Sequence, residues 1–477
     1  MKLSEFAREI ESARVVGEDA EITSLCTDSR VAGKGDLFFC LRGTHVDSHR
    51  FIDEACKKGA AAVVAEHETE APSQLIVPDG RAAMARIAAA FYGHPERKMK
   101  IAGVTGTNGK TTVCHMIYNI MKAAGKKAGI IGTLGAEYGT RTFAPVLTTP
   151  DPVFLFSVLS DMVQDGVEVV AMEVSAHALA LKKECPIVYD VAVFTNLTRD
   201  HLDFFADMNA YGAAKKTLFS PERTRFAVLN SDDGFSRQLA GVEHETYGLE
   251  NPADCFAVVE REDLRGSELL LNLSDELVET KLHMTGRHNI SNALAAASAA
   301  RRLGADGKAI GKGLSEMTGV NGRLEWVATA NGADVFVDFA HTPDGLQKSL
   351  AALRAHCRGK LCVLFGCGGN RDSGKRAKMG ETAAKFADFS VITSDNPRYE
   401  DPCAIMSEIE AGFAPVSKSY VAIEDREKAT GYALNRLREG DVLLVAGKGG
   451  ETYQEIMGIK YGYDDKDVIT SYLRKRL

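Results

Sequence analysis

The 477 residues are too many for one typical domain and predict two to four. With 45% hydrophobic and 26% charged residues, the composition is that of an ordinary globular protein able to fill a core in each domain. Fifty-seven basic residues against 65 acidic ones leave a net charge of −8, which argues against a general nucleic-acid surface.

The opening stretch from Met1 to Val16 has charges inside any candidate apolar run and no small-residue cleavage site. Neither a secretory signal nor a membrane span is therefore expected. The 10 cysteines are scattered without a CxxC pair and read as reduced thiols of a cytosolic protein. Up to Lys98 the chain predicts short strands, such as Asp36 to Leu41, and an Ala-rich helix from Arg81 to Phe91. Gly93 to Lys98 reads as a linker. From Lys100 the rhythm becomes strand, Gly-rich turn and helix, repeated, which implies a parallel sheet covered by helices on both faces. Ser291 to Leu303 predicts a helix closed by Gly304. A connector at Gly322 to Val327 leads to a third block, where Leu361 to Phe365, Phe389 to Thr393 and Val442 to Val445 are buried-strand candidates. The expected division is 1–98, 99–326 and 327–477.

The strongest local signal runs from Ile101 to Thr112, with Gly106, Thr107, Asn108, Gly109, Lys110 and Thr111 between an apolar strand and a helix. Glycines let backbone N–H groups turn inward around phosphate oxygens, and the helix N-terminus adds its positive dipole end. Lys110 would reach the outer phosphates and Thr111 would hold Mg²⁺. The strict P-loop wants a glycine where Val104 stands, so a Gly-rich turn with a chance lysine is the alternative. Two further apolar runs end in Glu173 and, seven residues past Phe194, in His201. Ligands gather at the carboxyl ends of parallel strands, so both could converge on the phosphate loop as metal ligands. Taken singly, each could equally be a solvated strand cap or a loop hydrogen-bonder.

Gly103 to Thr112, Thr148-Thr-Pro-Asp-Pro152, Glu173 to Leu179 and Phe194 to Phe205 together resemble the Mur ligases. The resemblance continues at Tyr211 to Lys215, Gly286 to Asn292, Gly322 to Val327 and Val337 to Leu346, and reaches Gly366 to Arg376, Ser394 to Arg398 and Gly447 to Gln454. It implies an α/β protein of three domains: an N-terminal UDP-sugar-binding domain, a central P-loop parallel-sheet ATPase and a Rossmann-like C-terminal domain. It also implies ATP-dependent joining of meso-diaminopimelate to the D-Glu γ-carboxylate of UDP-N-acetylmuramoyl-L-Ala-D-Glu. The route is an acyl phosphate with Mg²⁺, in a cytoplasmic monomer that makes a peptidoglycan precursor and has no nucleic-acid or membrane partner.

By the same resemblance Lys215 is a carbamylated lysine bridging Mg²⁺ with Glu173 and His201, and Thr112, Asn289, Arg323 and Asp338 lie near ATP. From the residues alone, Arg323 could equally form an inter-domain salt bridge. Thr27, Ser29, Thr44, His45 and Val46 match UDP-sugar contacts, and Thr148, Thr149, Ser175 and Lys183 match contacts to the sugar-peptide. Ala176 stands where a second serine is usual, Lys183 where an arginine is usual and Gly450 where a histidine is expected. Lysine keeps the charge but loses the planar two-point grip.

Three loops of the last block should share one sheet edge and offer Arg371, then Asp395, Asn396, Pro397 and Arg398, then Gly447 and Glu451. Arg398 can fork onto a carboxylate. Diaminopimelate has a distal carboxylate and lysine has none, so lysine would leave a buried Arg398 unpaired at a cost of about 3–5 kcal/mol. Asp395 to Arg398 could instead be a plain Asx-Pro turn.

Overall fold

Residues 1–43, 46–145 and 147–475 are described in a computed structural model, in which three sheets follow one another along the chain. Thr44 and His45 lie outside the described residues.

The first sheet has the strand order Arg14–Gly17, Ser73–Ile76, Ala62–Ala65, Asp36–Phe39, Ser24–Cys26. Only its first pair is antiparallel. Helix Gly80–Phe91 starts where the Asp79 side chain accepts from the N–H groups of Arg81 and Ala82. Its alanine-rich sequence has a packing reason. Ala83, Met84 and Ile87 fill the core of the first sheet, while Ala85, Ala88 and Ala89 pack against the core of the next one. Small side chains let one helix lie close to both.

The second sheet has eleven strands, and seven of them, from Cys255–Asp263 through to Ala128–Gly132, run parallel. Antiparallel hairpins extend it at both edges. Lys100–Thr105 sits between Val191–Phe194 and Val169–Glu173. All three are apolar runs because both faces are covered. Helices Lys110–Ala123 and Arg287–Leu303 pack on one face and Pro152–Gln164 on the other. Gly304 ends its helix at φ 107°, with Ala305 N–H on the Ala300 carbonyl at 3.0 Å.

The third sheet has the order Glu325–Ala330, Ala333–Asp338, Val442–Ala446, Leu361–Phe365, Phe389–Ile392, Tyr420–Ala422, parallel after an antiparallel first pair. A separate hairpin, Tyr453–Ile456 with Ile459–Gly462, follows it. The expected strands recur with ends shifted by a residue or two: Asp36 to Leu41 stops at Phe39, and Val442 runs on to Ala446. Among the described residues, no helix is long and apolar enough to cross a membrane.

Candidate active site

The phosphate loop turns sharply between Thr105 and Lys110. Gly106 has φ 151°, and a Cβ there would lie 1.8 Å from Thr195 Oγ1, so only glycine fits. The loop is braced from the side: the N–H groups of Thr107 and Asn108 donate to the Asn196 carbonyl and side-chain oxygen at 2.8 and 2.9 Å. That leaves the N–H groups of Lys110, Thr111 and Thr112, which open the helix without intrahelical acceptors, facing the cleft. Asn292 closes over Gly109 and donates to Asn289 Oδ1 at 3.3 Å, and Asn289 in turn donates to the Thr285 carbonyl at 2.9 Å.

Two lysines meet at this turn. Lys110 Nζ donates to the carbonyls of Gly106 and Thr107 at 2.9 and 2.8 Å, and Lys215 Nζ donates to the same Gly106 carbonyl at 2.9 Å. Burial lowers the Lys110 amine, although Glu173 and Asp200 work the other way. Lys215 is driven further down, by burial and then by Lys110, and its ammonium lies 4.4 Å from the Tyr211 ring centre. No carboxylate pairs with it among the described residues.

Glu173 ends its strand as a buried carboxylate, accepting from Thr133 N–H at 2.8 Å and Thr133 Oγ1 at 3.1 Å. Thr149 Oγ1 donates to the Glu173 carbonyl at 2.9 Å and accepts from Ser175 N–H at 2.9 Å, while the Thr148 and Thr133 hydroxyls lie within hydrogen-bond distance at 3.1 Å. Thr148, Thr149 and Ser175 therefore form one wall with Glu173. Lys183 joins it through an ion pair with Asp151 at 2.7 Å. Thr27, Ser29 and Val46 do not line this cleft; Ser29 Oγ donates to Glu54 at 3.1 Å.

The third sheet closes the cleft from the opposite side. Arg323 lies over the Phe339 ring at 4.3 Å and its Nη2 donates to Thr111 Oγ1 at 2.9 Å. Asp338 accepts from the Ala340 N–H at 2.9 Å and Ser349 Oγ at 3.0 Å, and burial pushes its carboxyl up. Asn108 donates to Asp344 at 2.9 Å. Asp200 is shared by His201 at 3.4 Å, His341 at 3.5 Å and Lys375 at 3.5 Å. Burial would raise the Asp200 carboxyl, but His341 and Lys375 outweigh it and hold it well below the carboxylate range. Burial pushes the His201 imidazole down to about 3, so it is neutral at ordinary pH. Phosphate loop, Glu173 wall and third-sheet loops line one cleft of about 1100 Å³.

The three loops at the edge of the third sheet lie side by side. Gly369 N–H donates to the Asn396 carbonyl at 2.9 Å, and a Cβ on Gly447 would come within 2.6 Å of Asp395 Oδ2. Burial opposes the Asp395 charge, but Lys448 and Arg426 hold the carboxyl below its usual range. Asn396 Nδ2 donates to Glu451 at 2.8 Å. Arg371 points across the cleft to Asp203 at 3.8 Å. One correction to the sequence reading follows. Arg398 is not an isolated cation: its Nε donates to Glu455 Oε2 at 3.2 Å and its Nη1 to the Gly369 carbonyl at 2.7 Å. Bound lysine would therefore not strand it at the full cost of an unpaired buried charge. The Asp395–Arg398 segment is also more than a plain turn, since Arg398 has φ 53° and pairs its backbone with the hairpin.

Sequence reasoning missed Asn196, Asp200, His341, Lys375, Lys448 and Glu455. His341 and Lys448 each stand two or three residues beyond a strand end, which is the one local signal that could have marked them.

A helix-opening phosphate loop, facing loops rich in arginine and carboxylate from a second parallel sheet, defines an α/β nucleotide-dependent enzyme that joins two substrates across a cleft. Three family models match: Mur ligase middle domain over residues 104–300, Mur ligase glutamate ligase domain over 322–449, and Mur ligase family catalytic domain over 21–92. The chain belongs to the Mur ligase family, ATP-dependent ligases that form amide bonds. The UDP-N-acetylmuramoyl-L-alanyl-D-glutamate–2,6-diaminopimelate ligase of Geobacillus thermodenitrificans is 41% identical over 475 residues, 96% of each chain. That of Clostridium acetobutylicum is 38% identical and covers 100% of both. A solved ligase of the same name is 29% identical, with a TM-score of 0.69 over 100% of this chain and 99% of that one. A Mycobacterium tuberculosis folylpolyglutamate synthase in complex with ADP and AMPPCP shares the fold at 18% identity and TM-score 0.64, over 77% of this chain and 92% of that one.

Proposed function

We propose that this chain joins meso-diaminopimelate to the D-Glu γ-carboxylate of UDP-N-acetylmuramoyl-L-Ala-D-Glu, releasing ADP and phosphate. The observation that carries the reading is the shared cleft, with the phosphate loop and Glu173 wall on one side and Arg371, Arg398 and Glu451 on the other. A carboxylate is a poor electrophile, and phosphoryl transfer from ATP supplies it with a leaving group. Attack by the amine then forms a tetrahedral intermediate that expels phosphate. Lys110 and the helix N-terminus offset charge on the phosphoryl oxygens, and Arg323 adds a second cation beside Thr111.

Thr111 and Glu173 offer hard oxygen donors suited to Mg²⁺, which would neutralise phosphate charge in transfer. Among the described residues no group of three or more His, Cys, Asp or Glu side chains is arranged for a metal, consistent with an ion that arrives with the nucleotide and keeps its waters. Lys215 supports the carbamate reading because burial and Lys110 push its amine well down, towards the neutral form that adds to CO₂. The carbamate would convert a buried amine, held against the Gly106 carbonyl, into an anionic oxygen ligand. Thr27, Ser29 and residues 44–46 are assigned to the UDP-sugar, with the chain divided at 1–98, 99–326 and 327–477. We place the enzyme in the cytoplasm as a monomer.

The test is phosphate release with ATP, Mg²⁺ and UDP-N-acetylmuramoyl-L-Ala-D-Glu, comparing meso-diaminopimelate with L-lysine. Release with a tripeptide product for diaminopimelate alone is expected. Turnover with lysine alone would overturn the amino-acid assignment.

A further inference from the structure

Glu455 lies beyond the segments that the sequence marks as amino-acid contacts, on the hairpin strand Tyr453–Ile456. Its backbone is tied to the Asp395–Arg398 loop twice: its N–H donates to Asn396 Oδ1 at 3.0 Å, and its carbonyl accepts from Arg398 N–H at 3.0 Å. Its carboxylate then takes Arg398 Nε at 3.2 Å. The Gly369 carbonyl takes Nη1 at 2.7 Å, and Nη2 has no protein partner among the described residues. A guanidinium presents two edges for a two-point grip, one from Nε and Nη2, the other from Nη1 and Nη2. Glu455 occupies the first. The second keeps both hydrogens of Nη2 and the remaining hydrogen of Nη1 for an outside carboxylate.

A second cation settles the same loops. Lys448 is fully buried, and its Nζ donates to Asn396 Oδ1 at 2.9 Å and to Glu451 at 3.2 Å. Asn396 is thereby fixed by Lys448 and by the Glu455 N–H together. Arg398 and Lys448 thus share these loops with three carboxylates, Asp395, Glu451 and Glu455.

We propose that Glu455 is a positioning residue for amino-acid selection: it anchors Arg398 by Nε so that the free edge of the guanidinium meets the distal carboxylate of the incoming diamino acid. This rests on the function proposed above. Glu455 works through Arg398 and need not touch the substrate.

The experiment compares wild type, Glu455→Ala and Glu455→Gln in steady-state ligation, varying each substrate in turn. Glutamine keeps an oxygen that can accept from Nε; alanine does not. In Glu455→Ala, KM for meso-diaminopimelate should rise about tenfold, in line with losing a hydrogen bond to a charged group. KM for ATP and for the sugar-peptide should stay within experimental scatter, and Glu455→Gln should recover most of the loss. The preference for diaminopimelate over L-lysine should fall in Glu455→Ala alone. An unchanged diaminopimelate KM in Glu455→Ala overturns the proposal. So does a loss shared equally by all three substrates, which marks a purely structural role, or a failure of glutamine to rescue. If wild type prefers another amino acid with a distal carboxylate, the diaminopimelate assignment fails, while the Glu455 proposal is judged by the same comparison on that substrate. Preference for lysine overturns both.

Discussion

Arg426 and Asp465 open two helices packed against the third sheet and form an ion pair with neither side chain exposed. Arg426 Nε and Nη2 each meet one Asp465 oxygen at 2.8 Å, and Nη2 also donates to the Ala446 carbonyl at 2.9 Å. Arg426→Ala leaves Asp465 buried without its cation and the end of strand Val442–Ala446 without a donor. Breaking such a pair costs about 3–5 kcal/mol. With a urea dependence of about 2 kcal/mol per M, the unfolding midpoint of this region should drop by about 2 M. The chain has 1 tryptophan, Trp326, on the edge strand of the same sheet, so its emission follows this region and not the other two. Replacing both partners, as in Arg426→Leu with Asp465→Leu, removes the stranded charge and should recover much of the loss. A midpoint for Arg426→Ala within about 0.3 M of wild type, on that urea dependence, would refute the reasoning. A double variant no more stable than the single one would do the same.

Lys215→Ala should abolish ligation, with partial return of activity on adding a small carboxylate such as acetate; retained activity without it would sink the carbamate reading. Lys215→Met should unfold no earlier than wild type, because an apolar chain replaces a fully buried amine. Arg323→Ala should lower kcat by about 10²-fold, the scale for losing one preorganised donor at a transferring group. Arg323→Lys should recover little, since the stacking on Phe339 and the reach to Thr111 need the planar guanidinium. Kinetics indifferent to either change would remove Arg323 from the ATP site. Burial holds the His288 imidazole at about 4, below its unfolded value near 6.5. The unfolded state therefore binds this proton more readily, so stability should be full above pH 6.5 and decline between about 6.5 and 4. His288→Gln should flatten that decline in calorimetric scans across pH, and an identical slope would contradict the assignment.

What the sequence exposes and what it hides follow chain distance. Gly106 to Thr112 is legible because strand, turn, lysine and helix are contiguous. The Glu173 wall is nearly so: an apolar run stops at an acid, and Thr148, Thr149 and Ser175 carry recognisable motifs. Asp200 is different. Its partners His341 and Lys375 come from a sheet that begins more than a hundred residues later, and nothing in Arg-Asp-His announces them. Arg398 was misread for the same reason, because Glu455, 57 residues on, is supplied by a hairpin whose alternation is too short to stand out. Element interiors were predictable from burial on both faces; their ends moved by a residue or two where turn geometry, not hydrophobicity, decides.

One segment ties the two halves of the reaction together. Gly322 has φ 65°, and a Cβ there would lie 2.0 Å from the Gly450 nitrogen, so the junction backbone rests directly on the Gly447–Glu451 loop. The next residue is Arg323, which reaches Thr111 on the phosphate loop. Gly450, standing where a histidine is expected, belongs to this contact: a Cβ on it would lie 3.1 Å from the Asn321 side chain, and Asn321 in turn accepts from Lys466 at 2.6 Å. A larger residue at 450 would have to displace that side chain. Because backbone rests on backbone here, moving the Gly447–Glu451 loop moves the segment carrying Arg323. The loop that carries Lys448 and Glu451 and the segment that carries Arg323 are thus in direct backbone contact, with no side-chain relay between them.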